Sequence, residues 1–222
     1  MRNSIDFQLV ADKVGAIQAQ VLSKSENPVT IVAVTKGFSV ESIRAANKAG
    51  IHDIGENYAQ EMLSKQNLLG ERESGDSLRW HFIGNLQRNK VRKVAQNVFM
   101  WQSVDSMALG EEITKRCEAP KVLVQANMTG SENQGGLPPS EVPFLVEQLW
   151  ELQIDVAGLM AIGDPEDREA TMEHFRKVKR MCEMLNLPEC SMGMSDDYDL
   201  ALEAGATILR LGTAIFGNRD DD

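Results

Sequence analysis

Long apolar runs, cysteine, histidine and aromatic residues are what this sequence has least of, and each shortage removes a class of protein. Nowhere does an apolar stretch reach the roughly 18 residues that a membrane helix needs. The beginning, with Arg2 and Asp6 in an amphipathic stretch, lacks the order of an export signal. Three cysteines, Cys117, Cys182 and Cys190, cannot all pair within one chain, and neither they nor the 3 histidines fall at a metal-ligand spacing. A disulfide scaffold and metal chemistry are therefore disfavoured, and a reducing compartment, the cytoplasm, is expected. Basic residues are short too: 23 Lys and Arg face 33 Asp and Glu, for a net charge of −10. That balance opposes the counterion-release attraction of nucleic acid and of anionic membranes, so neither is expected as a partner.

What is present is an ordinary globular mixture, 42% hydrophobic and 25% charged over 222 residues, which suits one domain spanning 1–222 with a core of its own. After an amphipathic opening from Ile5 to Leu22, apolar runs of strand length alternate with helical patterns. The strand candidates are Thr30 to Thr35, His52 to Gly55, Trp80 to Ile83, Val98 to Ser103, Val122 to Asn127, Val156 to Ile162, Glu189 to Met192 and Ile208 to Leu211. Between them lie helical segments at Val40 to Ala49, Arg88 to Gln96, Met107 to Cys117, Ser140 to Leu152, Glu166 to Leu185 and Asp197 to Ala204. Strands that are nearly continuously apolar are buried on both faces, which predicts an α/β fold, a single-domain TIM-type (β/α)8 barrel, over an open sheet. The polar stretches Lys65 to Leu78 and Thr129 to Pro139 read as surface loops.

In such barrels the chemistry gathers at the carboxyl ends of the strands. Lys36 directly follows Ile31-Val32-Ala33-Val34-Thr35, where burial lowers an amine's pKa and makes it a nucleophile toward an aldehyde. The plainer alternative is a lysine that ends a strand and carries its charge outward. Arg210 lies inside Ile208-Leu209-Arg210-Leu211 and needs an acceptor, either a ligand or a neighbouring carboxylate such as Glu56. Two glycine-containing turns, Ser191-Met192-Gly193-Met194-Ser195 and Gly212-Thr213-Ala214, follow the last two strands, the position where barrels often bind phosphate. Ser195 ahead of Asp196 and Asp197 also reads as a helix cap. His81 beside Trp80 reads as a satisfied core histidine, and Arg88, Lys90, Arg92 and Lys93 as a solvated helix face that could meet an acidic partner.

These residues match a family pattern over nearly the whole chain. Its marks are Ala33-Val34-Thr35-Lys36, Gly55-Glu56-Asn57-Tyr58, Trp80-His81-Phe82-Ile83-Gly84, Gly158-Leu159-Met160, Ser191-Met192-Gly193-Met194-Ser195-Asp196-Asp197, and Arg210-Leu211-Gly212-Thr213-Ala214-Ile215-Phe216-Gly217. The chain resembles the pyridoxal phosphate homeostasis proteins. The resemblance implies a barrel similar to the amino-terminal domain of alanine racemase, binding pyridoxal 5'-phosphate without known turnover. It implies that Lys36 forms the Schiff base and that Arg210 faces the pyridine nitrogen. Ser191, Ser195, Gly212 and Thr213 are implied to hold the phosphate, with Met192 in the first of those turns also among the cofactor-binding residues, and Asn57 and Met160 to line the ring. Gln134 stands where the family more often has lysine.

An arginine at the ring nitrogen discourages its protonation and weakens the ring as an electron sink. The expected role is thus a carrier or regulator of the cofactor, acting on amino-acid and keto-acid balance, with PLP-dependent apoenzymes or a regulatory protein as partners. A monomer is implied. Racemases of this build take a second base from a further domain and a partner subunit, whereas this sequence ends at Asp222, soon after the last barrel motif. The competing readings are an amino-acid racemase-like PLP enzyme and an interaction protein that uses the helix at Arg88 to Lys93.

Overall fold

The computed structural model describes residues 5–74 and 78–218. Helix α1 (Phe7–Lys24) starts where the Asp6 carboxylate accepts from the amides of Gln8 and Leu9, two donors that have no partner within the helix. Val10, Val14, Ile17 and Val21 then form a single buried stripe at helical spacing. Eight strands follow among the described residues: β1 (Thr30–Val34), β2 (Asp53–Glu56), β3 (Arg79–Phe82), β4 (Met100–Val104), β5 (Lys121–Ala126), β6 (Asp155–Ala161), β7 (Glu189–Ser191) and β8 (Ile208–Leu211). They pair in parallel in chain order, and β8 closes on β1. The expected barrel is therefore the observed one, with each strand within two residues of its expected bounds.

The helices are α2 (Val40–Lys48), α3 (Ala59–Ser74), α4 (Arg88–Val94), α5 (Met107–Thr114), α6 (Val142–Glu151), α7 (Arg168–Met184), α8 (Tyr198–Glu203) and α9 (Thr213–Phe216). Their inner faces cover the barrel with Ile43, Met62, Val91, Ile113, Leu149 and Phe175, all fully buried. No helix among the described residues is long and apolar enough to cross a membrane.

One expectation is corrected here. Lys65 to Leu78 is not a loop as far as Ser74: it continues α3, which kinks at Gly70 (φ 71°), while residues 75–77 lie outside the described set. The polar residue that broke the apolar period, Lys65, is itself buried, at 4% exposure, so a charged side chain occupies an inward position of the helix. The stretch from Thr129 to Pro139 does form a loop.

Strand register decides which side chains enter the barrel. Val32 pairs with Asp53, Gly55 with His81, His81 with Met100, Met160 with Ser191 and Val32 with Arg210, so these share the inner face. Inside, Val32, Met100, Leu123, Ala157, Met160 and Ile208 form an apolar cluster separate from the larger one beneath the helices. Gly158 lets β6 and β7 approach, since a Cβ there would overlap the Glu189 carbonyl oxygen. Gly158→Ala should accordingly cost about 2–3 kcal/mol of stability through forced strand displacement. Urea unfolding measures it, and an unchanged midpoint would show that the β6–β7 contact is loose.

Candidate functional site

Lys36 lies just past the carboxyl end of β1 and is half-buried. The backbone on both sides of it is tied to α3. Lys65 Nζ donates to the Thr35 carbonyl (2.5 Å), to Glu56 Oε1 (2.6 Å) and to Glu61 Oε1 (2.8 Å). The Gly37 amide donates to Glu61 Oε1 (2.6 Å), and the Thr35 hydroxyl donates to Glu56 Oε1 (2.5 Å). Burial pushes the Glu56 carboxyl above its ordinary value, against the opposing charge and hydrogen bond of Lys65. A buried ammonium bridging two carboxylates thus fixes the turn that presents Lys36. Neither Lys65 nor Glu61 was singled out from the sequence. The one available signal was the spacing of Glu61 and Lys65 by four residues, which helical geometry brings together.

Arg210 is 4% exposed and points into the barrel. Its Nη1 donates to Ser191 Oγ (2.7 Å) and its Nη2 to the Ala161 carbonyl (2.8 Å). Burial pulls the guanidinium down to about 10, with Asp197 acting against that, so it remains charged at neutral pH. The pairing with Glu56 considered from sequence does not occur. Glu56 follows Gly55 on β2 and, by the two-residue alternation, faces outward to Lys65 while Arg210 faces inward.

The two expected phosphate turns meet. Ser195 Oγ accepts from the Gly212 amide (3.3 Å) and the Ala214 amide (3.0 Å). The cap reading of Ser195 is thereby set aside, since the residue capping α8 is Asp197, whose Oδ1 accepts from the Met194 amide (2.6 Å). Burial raises the Asp197 carboxyl, opposed by that amide and by the charge of Arg210. Gly193 carries the first turn at φ 85°, close under Ala201 of α8, and its carbonyl accepts from the Arg210 amide. Thr213 is exposed beside Gly212 at the start of α9. On the opposite rim, Asn57 packs its backbone against Gly84, and its buried Oδ1 has no partner among the described residues. Met160 lies inside the barrel, 1% exposed.

Two expected contacts are placed differently. The Ser191 hydroxyl does not face the turns: it sits in the barrel, donating to Gln102 Oε1 (2.7 Å) and accepting from Arg210. Met192, next along β7, points the other way into the core beneath the helices, and its amide donates to the Ile208 carbonyl. Alternation along the strand is the reason for both. Gln134 folds into its own loop, accepting from Thr129 and donating to the Gly163 carbonyl.

His81 is, as read from sequence, a satisfied core residue. Its Nε2 lies 2.9 Å from Asp53 Oδ1 and its Nδ1 2.9 Å from Gln102 Nε2. Asp53 is gripped by Arg79 through two bonds, of 2.7 and 2.5 Å. Burial pushes the Asp53 carboxyl up, but the hydrogen bonds of Arg79 and His81 and the Arg79 charge prevail and hold it at about 2.

The residues fit a phosphorylated aromatic aldehyde. An amine stands on a fixed turn, and two amides already converge on an oxygen. An unpartnered amide oxygen and a buried cation complete the rim and floor. The family model for the N-terminal domain of alanine racemase matches residues 5–220. The pyridoxal phosphate homeostasis protein of Pseudomonas aeruginosa is 37% identical over 211 residues, covering 91% of this chain and 90% of that one. The solved structure of PipY from Synechococcus elongatus with PLP bound has a TM-score of 0.83 at 31% identity, covering 94% of this chain and 100% of the other. Alanine racemase of Corynebacterium glutamicum shares the fold, with a TM-score of 0.73 at 15% identity over 98% of this chain and 62% of that one.

Two outcomes follow from the site's electrostatics. Lys65→Met should lower stability by about 3–5 kcal/mol by leaving Glu56 buried and unpaired; adding Glu56→Gln should recover part of it. Equal stability of wild type and single variant in chemical denaturation would contradict the tie. Asp53, with its folded value below the ordinary 3.8, gives stability that is complete above that pH and lost as pH falls through about 2. Acid unfolding curves of Asp53→Asn should lack that component, and curves of identical shape would disprove it.

Proposed function

We propose, for a chain that belongs to the alanine racemase N-terminal domain family and within it to the pyridoxal phosphate homeostasis proteins, that it binds pyridoxal 5'-phosphate at the carboxyl mouth of the barrel and keeps it in supply. The observation that carries the reading is the convergence at one mouth of a lysine on a fixed turn, a buried arginine and two amides aimed at one oxygen. Lys36 would supply the amine that condenses with the cofactor's aldehyde, with loss of water, to hold it as a Schiff base. The Ser195 hydroxyl and the Gly212-Thr213 turn hold the phosphate, with the amides of Gly212 and Ala214 aiming that hydroxyl. Ser195 accepts both amide bonds and so keeps its own proton for an anionic oxygen. Asn57 and Met160 border the ring.

Arg210 stands for the pyridine nitrogen. A guanidinium has protons to give and none to take, so it accepts a neutral, unprotonated nitrogen and disfavours a pyridinium. The bound cofactor when present supplies electron withdrawal, and this arrangement limits it, which favours holding over turnover. The protein is taken as a cytoplasmic monomer that passes the cofactor to apoenzymes or to a regulatory protein.

Protein mixed with the cofactor, reduced with borohydride and digested should carry the pyridoxyl mass on the peptide that contains Lys36, and Lys36→Ala should carry none there. A label on another lysine, or amino-acid racemisation by the pure protein, would overturn the reading.

A further inference from the structure

A polar chain crosses the apolar interior of the barrel from one face to the other. Arg79 and Asp53 begin β3 and β2, at the amino-terminal face, and Arg210 lies toward the carboxyl end of β8. Between them stand His81, Gln102 and Ser191, all buried. The family's sequence marks include His81, Ser191 and Arg210, whereas Gln102 and Asp53 entered neither the sequence reading nor the proposed contacts.

The ends of this chain determine the direction of every hydrogen bond in it. A guanidinium only donates, so Ser191 Oγ accepts from Arg210 and turns its single proton to Gln102 Oε1. The Gln102 carbonyl is then engaged, and its amide nitrogen donates to His81 Nδ1. That nitrogen must therefore be unprotonated, which places the imidazole proton on Nε2, facing Asp53 Oδ1. Asp53 only accepts, and Arg79 holds both of its oxygens. Donors thus run one way, from Arg210 to Asp53, and each member permits a single orientation of the next.

We propose that Gln102, held by His81 and Asp53, is the positioning residue that sets the place and donor strength of Arg210 and so governs how the bound ring is held. The proposal rests on the reading of Arg210 under the cofactor. If Gln102 loses its carbonyl, the Ser191 proton loses its acceptor, and the hydroxyl turns to seek another, withdrawing the lone pair that fixes Arg210 Nη1. Among the described residues the hydrogen bonds of Gln102 go to His81 and Ser191 and to none of the residues proposed to hold the cofactor, so a filler role would leave the cofactor's spectrum untouched. A positioning role would not.

The test compares the wild-type full chain with Gln102→Met and Gln102→Glu, each titrated with pyridoxal 5'-phosphate and read by visible absorbance and by affinity. Gln102→Met keeps the volume and removes both polar atoms. It should displace the absorbance maximum and weaken binding about tenfold. Gln102→Glu restores an oxygen for the Ser191 proton and, with His81 taking up a proton at Nδ1 to face the second carboxylate oxygen, should return the maximum and most of the affinity. Should Gln102→Met fail to fold, Ser191→Ala, smaller by one oxygen, must show the same displaced maximum. The imidazole nitrogens of His81 in labelled wild-type protein should report protonated Nε2 and bare Nδ1. A wild-type maximum and affinity in Gln102→Met, or the opposite tautomer, overturns the proposal while the cofactor site stands. A wild type that takes up no cofactor overturns the site itself and this inference with it.

Discussion

A guanidinium that stays charged inside a closed barrel must be met by acceptors, and the rest of the interior is arranged around that need. Arg210 is pulled down to about 10 by burial yet remains a cation at neutral pH. Leaving it unsatisfied would cost more than almost any other single defect. The backbone meets part of the requirement through the Ala161 carbonyl at the end of β6, and Ser191 on β7 meets another. Three adjacent strands, β6, β7 and β8, are thus pinned at the level where the barrel opens. The cost of burying the charge is the reason the mouth has a definite floor.

The rim is built on the opposite principle, with charge placed outside the barrel wall. Lys65 reaches from α3 to the Thr35 carbonyl and to the carboxylates of Glu56 and Glu61, and Glu61 takes the Gly37 amide. Lys36 lies between the two anchored residues. A flexible four-carbon amine gains little from a tight pocket if its backbone wanders, so fixing the turn is the effective way to present it. Next to that turn on the rim, where β8 pairs with β1, the amides of Gly212 and Ala214 converge on the Ser195 hydroxyl, which couples the turn after β7 to the turn after β8. Both turns are tied by hydrogen bonds in the absence of a ligand, which suits a protein that holds a cofactor.

The barrel was legible because strands buried on both faces read as unbroken apolar runs, and all eight were found near their bounds. Lys36 and Arg210 were legible for a related reason, since a charge inside or at the end of such a run has few explanations. What escaped was whatever depends on partners far apart in sequence. Lys65 looked like a loop residue because Glu56 and the Thr35 carbonyl reach it only when α3 packs on β1 and β2; Glu61, one helical turn away, is the local partner. Gln102 and Ser191 are 89 positions apart and meet only across the closed barrel. Met192 and Ser191 were grouped together in one turn, yet alternation sends one outward and one inward, a distinction that follows once β7 is known to extend to Ser191. Glu56 was offered to Arg210 for lack of the same register.

The proposed site brings an amine after β1, a guanidinium on β8 and the Ser195 hydroxyl after β7 to one end of the barrel. A crystal structure of the protein grown with pyridoxal 5'-phosphate tests it most directly. The account predicts electron density continuous with Lys36 Nζ, a ring nitrogen within hydrogen-bond distance of Arg210, and phosphate oxygens against Ser195 Oγ and the Gly212-Thr213 turn. Cofactor density at any other lysine, or a ring turned away from Arg210, would contradict it.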